Sequence, residues 1–209
     1  MSETPRDYLA LSVREFLAAT AARTPTPGGG SVADVVGAAG AALAQMALNF
    51  TRGKKKFAAH DAYYGHLALR LEKAREIFEM LVADDVAAYS LYQDSTRLAD
   101  GSEKEQAVQL ALAAAVNVPR ETAKTAVALL DDLREFAGRC SPMLITDLLA
   151  GAALAVATAR MSDYNVRVNV PNLADRQAAE DLRTASAGDL ARALAILAEI
   201  EASCKAVLP

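Results

Sequence analysis

Between Val32 and Leu48 the chain is apolar at every position except Asp34 and Gln45. Small residues recur four positions apart in this run, at Ala33, Gly37 and Ala41. A transmembrane helix needs about 20 apolar residues, whereas this run is shorter and has an acid in its first turn. The pattern therefore predicts a central helix that other helices bury on most sides, and no membrane span.

Alanine accounts for 47 of the 209 residues, while only 5% of the residues are aromatic and none is Trp. Ala has the lowest cost of any residue in a helix and lets helices approach closely. The composition therefore predicts an all-α, single-domain helical bundle with long central helices and a core of Ala, Leu and Val. No repeat or linker divides the chain, so we expect one domain over 1–209. Small side chains leave flat apolar faces, which favour a dimer.

The charge balance and the cysteines limit the classes of partner. The chain has 22 Lys and Arg against 26 Asp and Glu, a formal charge of −4. Nucleic-acid binders usually carry a basic excess, so we expect a small-molecule or protein partner instead. Cys140 and Cys204 form no CxxC pair, which indicates no metal site, no disulfide and a reducing cytoplasm. The N-terminus lacks the regions of a signal peptide, so no export is expected.

Apolar spacing and capping signals divide the chain into helices. They predict helices over 7–22, 31–48, 61–94, 102–118, 119–138 and 142–163, and a last one capped by Asn172 or Asp175 that runs through Ile200. Ser102 with Glu105 has the spacing of a capping box, and Pro119 suits the first position of a helix. The alternating residues 165–170 predict an extended connection or a helix end, because one short strand without a partner makes no sheet.

The turn Gly28-Gly29-Gly30-Ser31 leads directly into the apolar helix. Glycines allow close backbone approach, and free N–H groups at a helix start favour an anion or a polar ring. The turn is not a Walker A loop, because no Gly-Lys-Ser/Thr follows. A plain turn with a capping box of Ser31 and Asp34 explains it at least as well, so both interpretations stay open.

Charged groups beside apolar segments are the other candidates. Lys54, Lys55 and Lys56 follow the apolar helix and could bind a carboxylate or phosphate tail or transfer a proton, although a solvated charge run is the commoner outcome. Asp84 and Asp85 fall among apolar residues at helical spacing, which predicts a raised pKa suited to acid–base catalysis or, equally, paired core acids. Asp147 lies among apolar residues too, where a helix-start carboxylate is the alternative.

Several of these segments, in this order, resemble the cyclodeaminase/cyclohydrolase family, which comprises the C-terminal domain of formiminotransferase-cyclodeaminase and free-standing methenyltetrahydrofolate cyclohydrolases. The segments are Pro25–Ser31, Gly37–Leu43, Asn49–Phe57, Ala83–Val86, Thr146-Asp147 and Asn165–Asn169. The resemblance implies an all-helical homodimer that acts on a folate-bound one-carbon unit, with a tetrahydrofolate derivative as substrate and no tightly bound cofactor or metal. Cys140-Ser141 stands where the family pattern has Gly-Asn, and Thr146 replaces a Ser.

The resemblance also implies roles for the candidate residues. Asp84 or Asp85 with Asp147 would handle protons near the one-carbon bridge, and Lys55 or Lys56 would supply a positive partner or donor. The substrate would be bound by Gly28, Gly29, Gly30, Ser31, Asn49, Lys54, Asn165 and Asn169. The expected reaction is hydrolysis of 5,10-methenyltetrahydrofolate to 10-formyltetrahydrofolate, which the absence of a formiminotransferase domain favours. The alternatives are a formiminotetrahydrofolate cyclodeaminase that releases ammonia, and a non-catalytic folate-binding or scaffold dimer.

Overall fold

The computed structural model describes residues 6–205, and within that range it is helical with no strand. This confirms the all-α prediction. The helices are α1 (Val13–Ala21), α2 (Gly29–Thr51), α3 (Asp61–Thr96), α4 (Ser102–Ala137), α5 (Ile145–Asn169) and α6 (Arg176–Cys204). Short 3-10 turns precede α3 and flank α5, at Lys55–His60, Pro142–Leu144 and Val170–Asn172.

Helices α2, α3, α4 and α5 form a four-helix bundle. Helix α2 packs on α3 and α5, α4 packs on the same two helices, and α6 lies against α4 and α5. Large side chains fill the centre of the bundle, among them Tyr64, Leu71, Phe78, Leu130, Phe136 and Leu148. Aromatic residues are few, yet three of them occupy this core.

Small residues bring α2 and α5 close together. A Cβ on Gly40 would lie 3.0 Å from the carbonyl oxygen of Gly151, and one on Gly151 would lie 3.0 Å from that of Gly40. The two helices are antiparallel, because Ala33, nearer the start of α2 than Gly40, accepts a hydrogen bond from the hydroxyl of Thr158, which lies further along α5 than Gly151. One end of the bundle therefore holds the beginning of α2 and the end of α5.

Pro119 does not begin a helix, and the predicted break between 118 and 119 is wrong. Helix α4 runs unbroken through the proline. A proline inside a helix leaves the carbonyl four residues before it without a backbone donor. Here the Nδ2 of Asn169, on α5, donates to the Ala115 carbonyl oxygen at 3.2 Å. A neighbouring helix thus replaces the missing N–H.

The starts of α1 and α4 are capped differently from the prediction. Helix α1 begins at Val13, six residues later than predicted, because Ser12 and Glu15 form a capping box there. At the start of α4 the N-cap is Gly101 and no side chain caps it, so the predicted box of Ser102 and Glu105 is not formed.

In the C-terminal part of the chain, the predicted helix ends agree better with the structure. Asp175 caps α6, accepting a hydrogen bond from the Ala178 N–H. Residues 165–169 end α5, so the helix-end interpretation of the alternating segment is confirmed and the extended one is wrong.

Helix α2 and the segment Pro142–Asn172 are long and apolar enough to cross a membrane by length and composition, a test that buried core helices of soluble proteins also pass. In the most apolar stretch of α2, 50% is buried inside the protein, and in that of Pro142–Asn172 the buried share is 44%.

Candidate active site

A cavity of about 370 Å³ opens at the end of the bundle where α2 begins. Its walls come from the glycine turn before α2, from α3, from the middle of α4 and from the end of α5. The residues that line it include Gly28, Gly29, Gly30, Asp85, Tyr89, Tyr92, Pro119, Asn165 and Asn169. Two segments that lie far apart in the sequence, the glycine turn and Asp85, therefore meet in one site.

Asp85 is held against the first turn of α2 by two hydrogen bonds. The backbone N–H and the hydroxyl of Ser31 both donate to Oδ2, at 2.8 and 2.6 Å. A Cβ at Gly30 would lie only 2.1 Å from Oδ1, so this approach requires glycine at position 30. In the described part of the chain Oδ1 accepts no hydrogen bond. One oxygen of the carboxylate is thus fixed and the other is free to act on a ligand.

This contact excludes the capping-box interpretation of the glycine turn. Gly28 is the N-cap of α2 without a side-chain hydrogen bond, so the capping box of Ser31 and Asp34 is not formed. Ser31 is buried in the first turn and faces α3 instead.

The side-chain amides of the two asparagines that line the cavity are partly used by hydrogen bonds within the protein. Asn165 Nδ2 donates to the Met161 carbonyl at 3.0 Å, and Asn169 Nδ2 donates to the carbonyls of Ala115 and Asn165. An amide nitrogen has two N–H donors, so Asn169 uses both and Asn165 keeps one, whereas neither Oδ1 accepts a hydrogen bond from the described residues. Together with Asp85 the two Oδ1 atoms give the cavity mainly acceptors, which suits a ligand that carries N–H donors or positive charge.

Two tyrosines form an aromatic wall of the same cavity. Tyr89 and Tyr92 lie on successive turns of α3, and the Tyr89 hydroxyl is within 3.1 Å of Gln93 Nε2. Aromatic rings in such walls bind planar ligands by offset stacking. Acceptors on one side and aromatic rings on another match a flat, donor-bearing heterocycle.

Asp34 is a polar residue of this region that the sequence interpretation treated only as a capping partner. Its side chain is 1% exposed, and Thr122 Oγ1 lies 2.7 Å from Oδ1. Burial, with the negative charges of Asp85 and Asp84 nearby, raises the pKa of Asp34 to about 8, although the hydrogen bond from Thr122 opposes the shift. The signal in the sequence was its position, since it is the one acid in an apolar run.

Asp84 differs from Asp85, although both were predicted to be in apolar surroundings. Asp84 is exposed and does not line the cavity. Adjacent residues point about 100° apart on a helix, and only the direction of Asp85 meets α2. The prediction of apolar surroundings is wrong for Asp84.

The remaining predicted residues lie at the opposite end of the bundle. Asn49 and Lys54, Lys55 and Lys56 are exposed at and after the end of α2, and Asp147 is half-buried in the first turn of α5. Along α5, Asp147 and Asn165 are about 27 Å apart at 1.5 Å per residue. One chain thus brings together Gly28 to Ser31, Asp85, Asn165 and Asn169, and keeps the lysines, Asn49 and Asp147 apart from them.

The Cys140-Ser141 pair also lies at that distant end. The Ser141 N–H donates to Thr51 Oγ1 at 3.1 Å, and the Cys140 sulfur lies 3.9 Å from the same oxygen. Burial raises the pKa of the Cys140 thiol to about 11. The pair forms a buried turn that joins the end of α4 to the end of α2, and it does not touch the cavity. Among residues 6–205, no three His, Cys, Asp or Glu side chains are grouped to hold a metal.

Comparison with known proteins gives a consistent picture. A family model described as formiminotransferase-cyclodeaminase matches residues 12–187. The chain is 32% identical over 190 residues to methenyltetrahydrofolate cyclohydrolase of Methylorubrum extorquens, covering 88% of this chain and 91% of that protein. It is 33% identical over 176 residues to formimidoyltransferase-cyclodeaminase of Mus musculus, covering 81% of this chain but only 32% of that longer protein.

A solved structure extends the similarity to the fold. Formiminotetrahydrofolate cyclodeaminase from Thermotoga maritima superimposes with a TM-score of 0.85 and 28% sequence identity, covering 96% of this chain and 99% of that one. The similarity therefore includes every helix described above.

Proposed function

This chain belongs to the formiminotransferase-cyclodeaminase family, and from that membership we propose that it is an enzyme that hydrolyses 5,10-methenyltetrahydrofolate to 10-formyltetrahydrofolate. The observation that carries the proposal is the cavity in which Asp85 presents a free carboxylate oxygen beside acceptor oxygens and tyrosine rings. The substrate is a planar, cationic ring system with N–H donors, which such a wall recognises. The similarity to the cyclohydrolase over 91% of that protein's length supports this reaction over the alternatives.

The geometry accounts for the chemistry in two steps. The bridge carbon between N5 and N10 carries the positive charge of an amidinium group. Asp85 accepts a proton from water as the water oxygen bonds to this carbon, which neutralises the ring cation. The bond from the carbon to N5 then breaks, the hydroxyl becomes the formyl oxygen, and N5 takes a proton. One of the two protons of water ends on N5 and the other is released to solvent.

A cyclodeaminase is the second candidate, because the Thermotoga maritima protein that superimposes on this chain bears that name. In that reaction N10 attacks the formimino carbon, and ammonia leaves after it is protonated. The Asp85 carboxylate would take the proton that N10 loses and pass it to the leaving nitrogen, so the arrangement fits a lyase as well.

A homodimer in the cytoplasm is part of this proposal. None of the described residues that line the cavity is Lys or Arg, yet a folate ends in a glutamate whose carboxylates favour cations. In one chain Lys54 to Lys56 are exposed and far from the cavity. A second copy that places its own lysine end, with its Asp147, over the cavity would supply both the cations and the second acid.

The test is an assay of the purified protein with 5,10-methenyltetrahydrofolate, in which the reaction is monitored as the loss of the methenyl absorbance. We expect Asp85→Asn to lower kcat by about 100-fold or more, since general acid–base catalysis contributes at least that much. Asp84→Asn, which makes the same change one residue away outside the cavity, is the matched control and should retain activity.

Other outcomes would redirect the assignment. Ammonia released from formiminotetrahydrofolate, with no hydrolysis of the methenyl compound, would assign the cyclodeaminase. Folate binding without either reaction would assign a non-catalytic binding module. Equal activity of Asp85→Asn and the wild type would remove Asp85 from the mechanism.

A further inference from the structure

The buried carboxyl of Asp34 has one hydrogen-bond partner within residues 6–205, the hydroxyl of Thr122. No cation of the described chain pairs with it. The charged groups of α3 that act on Asp34 are Asp84 and Asp85, which are both acids. On α5, the uncharged Thr158 contacts the backbone of Ala33, the residue before Asp34. On α4, Arg120 and Lys124 line a separate groove between α3 and α4.

Counting hydrogens at Thr122 shows which form of Asp34 fits this site. The Thr122 oxygen is 2.7 Å from Asp34 Oδ1 and 3.1 Å from the Val118 carbonyl oxygen, and both neighbours are acceptors if Asp34 is charged. A hydroxyl has a single proton, so it can serve only one of them well. If Asp34 is protonated, it donates to Thr122 and Thr122 donates to Val118, and both contacts are made. The neutral acid therefore satisfies both contacts of the Thr122 hydroxyl.

Asp34 lies three residues after Ser31 on α2, so the two side chains are neighbours on one face of the helix. Ser31 is completely buried and makes both hydrogen bonds that fix Asp85. The contact between Asp34 and Thr122 ties the beginning of α2 to α4, whereas the contact between Ser31 and Asp85 ties it to α3. Any movement of this part of α2 would be transmitted to the carboxylate in the cavity.

We propose that Asp34 is a positioning residue that works as a neutral acid, bridging the beginning of α2 to Thr122 and thereby fixing Ser31 and Asp85. Its ionisation at alkaline pH breaks the chain of donors to Val118 and places a buried negative charge beside Asp85. The enzyme therefore loses activity on the alkaline side through a group that does not touch the substrate. The effect on catalysis rests on the proposed function, whereas the protonation of Asp34 does not.

The protonation is tested without any substrate, by NMR of the full chain between pH 5 and pH 10. We expect the Asp34 carboxyl carbon to titrate near the pKa of about 8 that burial gives it. The Ser31 amide proton, which bonds to Asp85, should shift with the same midpoint in the wild type and should not shift in Asp34→Asn. A carboxyl carbon that keeps the chemical shift of the charged form throughout this range, as an ordinary carboxyl with a pKa of about 4 would, would overturn the proposal.

Activity against pH tests the positioning role. Asn at 34 mimics the protonated acid, so we expect Asp34→Asn to retain activity at pH 7 within about twofold and to lose the alkaline decline near pH 8. Asp181→Asn, the same change at an exposed site on α6, should keep the wild-type profile. A folded Asp34→Asn that keeps the wild-type decline, or that is inactive at pH 7, would overturn the role.

A second pair of variants examines the bridge from the side of α4. Thr122→Val removes the hydroxyl with little change in shape, and should lower kcat/KM by about tenfold or more through displacement of Asp85. Thr122→Ser keeps the hydroxyl and should retain activity. Equal activity of the two variants would contradict the bridge. Should every form, including the wild type, be inactive on both folates, the proposed function fails while the NMR titration still decides the state of Asp34.

Discussion

At position 30 a hydrogen atom instead of a side chain is what lets Asp85 reach α2. We predict that Gly30→Ala abolishes most activity, because its Cβ would lie 2.1 Å from Asp85 Oδ1 and must displace the carboxylate. Displacement of a reacting group by about 1 Å can lower the rate by about 100-fold. The measurement is kcat/KM with 5,10-methenyltetrahydrofolate.

Gly65→Ala is the matched control for this prediction. Gly65 lies on α3 outside the cavity, and its Cβ would meet no atom within 4 Å. It should fold and retain activity, since alanine is favoured over glycine in a helix. Wild-type activity in Gly30→Ala would show that Asp85 is not held where the reaction needs it.

A second residue-scale prediction concerns the buried Asp132 on α4. Burial raises its pKa to about 6, while the guanidinium of Arg70 opposes the shift. Because the folded state holds the proton more tightly than the unfolded state, the contribution of Asp132 to stability falls as pH rises from about 4 to about 6. Above that range the folded protein contains a charged Asp132 that depends on Arg70.

Arg70→Met should therefore destabilise the protein more at pH 8 than at pH 5. We expect a loss of about 1–2 kcal/mol at pH 8, below the figure for a fully buried pair because the Arg70 side chain is 60% exposed. At pH 5 Asp132 can take a proton and the loss should be smaller. Urea unfolding at both values measures this. Lys73→Met, which removes one member of an exposed pair with Glu76, should change stability little at either pH.

At the scale of the helix, local sequence rules predict most helix ends correctly, but they predict a break in the middle of α4 that the structure does not have. Spacing and capping signals predicted most helices to within a few residues, because those signals act within one turn. Pro119 was misinterpreted because the donor that compensates for it, Asn169, is on another helix. A contact between positions so distant in sequence leaves no local pattern.

This compensation gives a prediction for the pair of helices. Asn169→Ala should lower the free energy of unfolding by about 1–3 kcal/mol, the usual effect of leaving a partly buried carbonyl without a donor. Pro119→Ala in that background restores a backbone N–H to Ala115 and should recover much of the loss. Urea unfolding of the wild type, the two single variants and the double variant gives a double-mutant cycle that measures the compensation. Equal losses in Asn169→Ala with and without the proline would contradict the compensation.

At the scale of the whole molecule, the sequence offered candidate site residues, but it did not indicate which of them lie together in the folded chain. The glycine turn and Asp85 were separate candidates, and only the packing of α2 on α3 joins them. Conversely, the lysines follow the same helix that begins at the glycine turn, yet α2 is 23 residues long and separates them by about 33 Å. Because a helix is rigid and extended, residues at the two ends of α2 lie far apart although only one helix separates them in the sequence.

The separation of the two groups makes the dimer testable by complementation. If the lysine end of one copy completes the cavity of the other, Asp85→Asn and the triple variant Lys54→Gln/Lys55→Gln/Lys56→Gln should each be nearly inactive alone. In a heterodimer of the two, one site combines an intact Asp85 with intact lysines, and the other site lacks both. An equimolar mixture after subunit exchange should therefore recover about a quarter of wild-type activity. A site contained within one chain would recover none, because neither variant has a complete site of its own. Full activity of the triple variant by itself would show that the lysines have no part in the reaction.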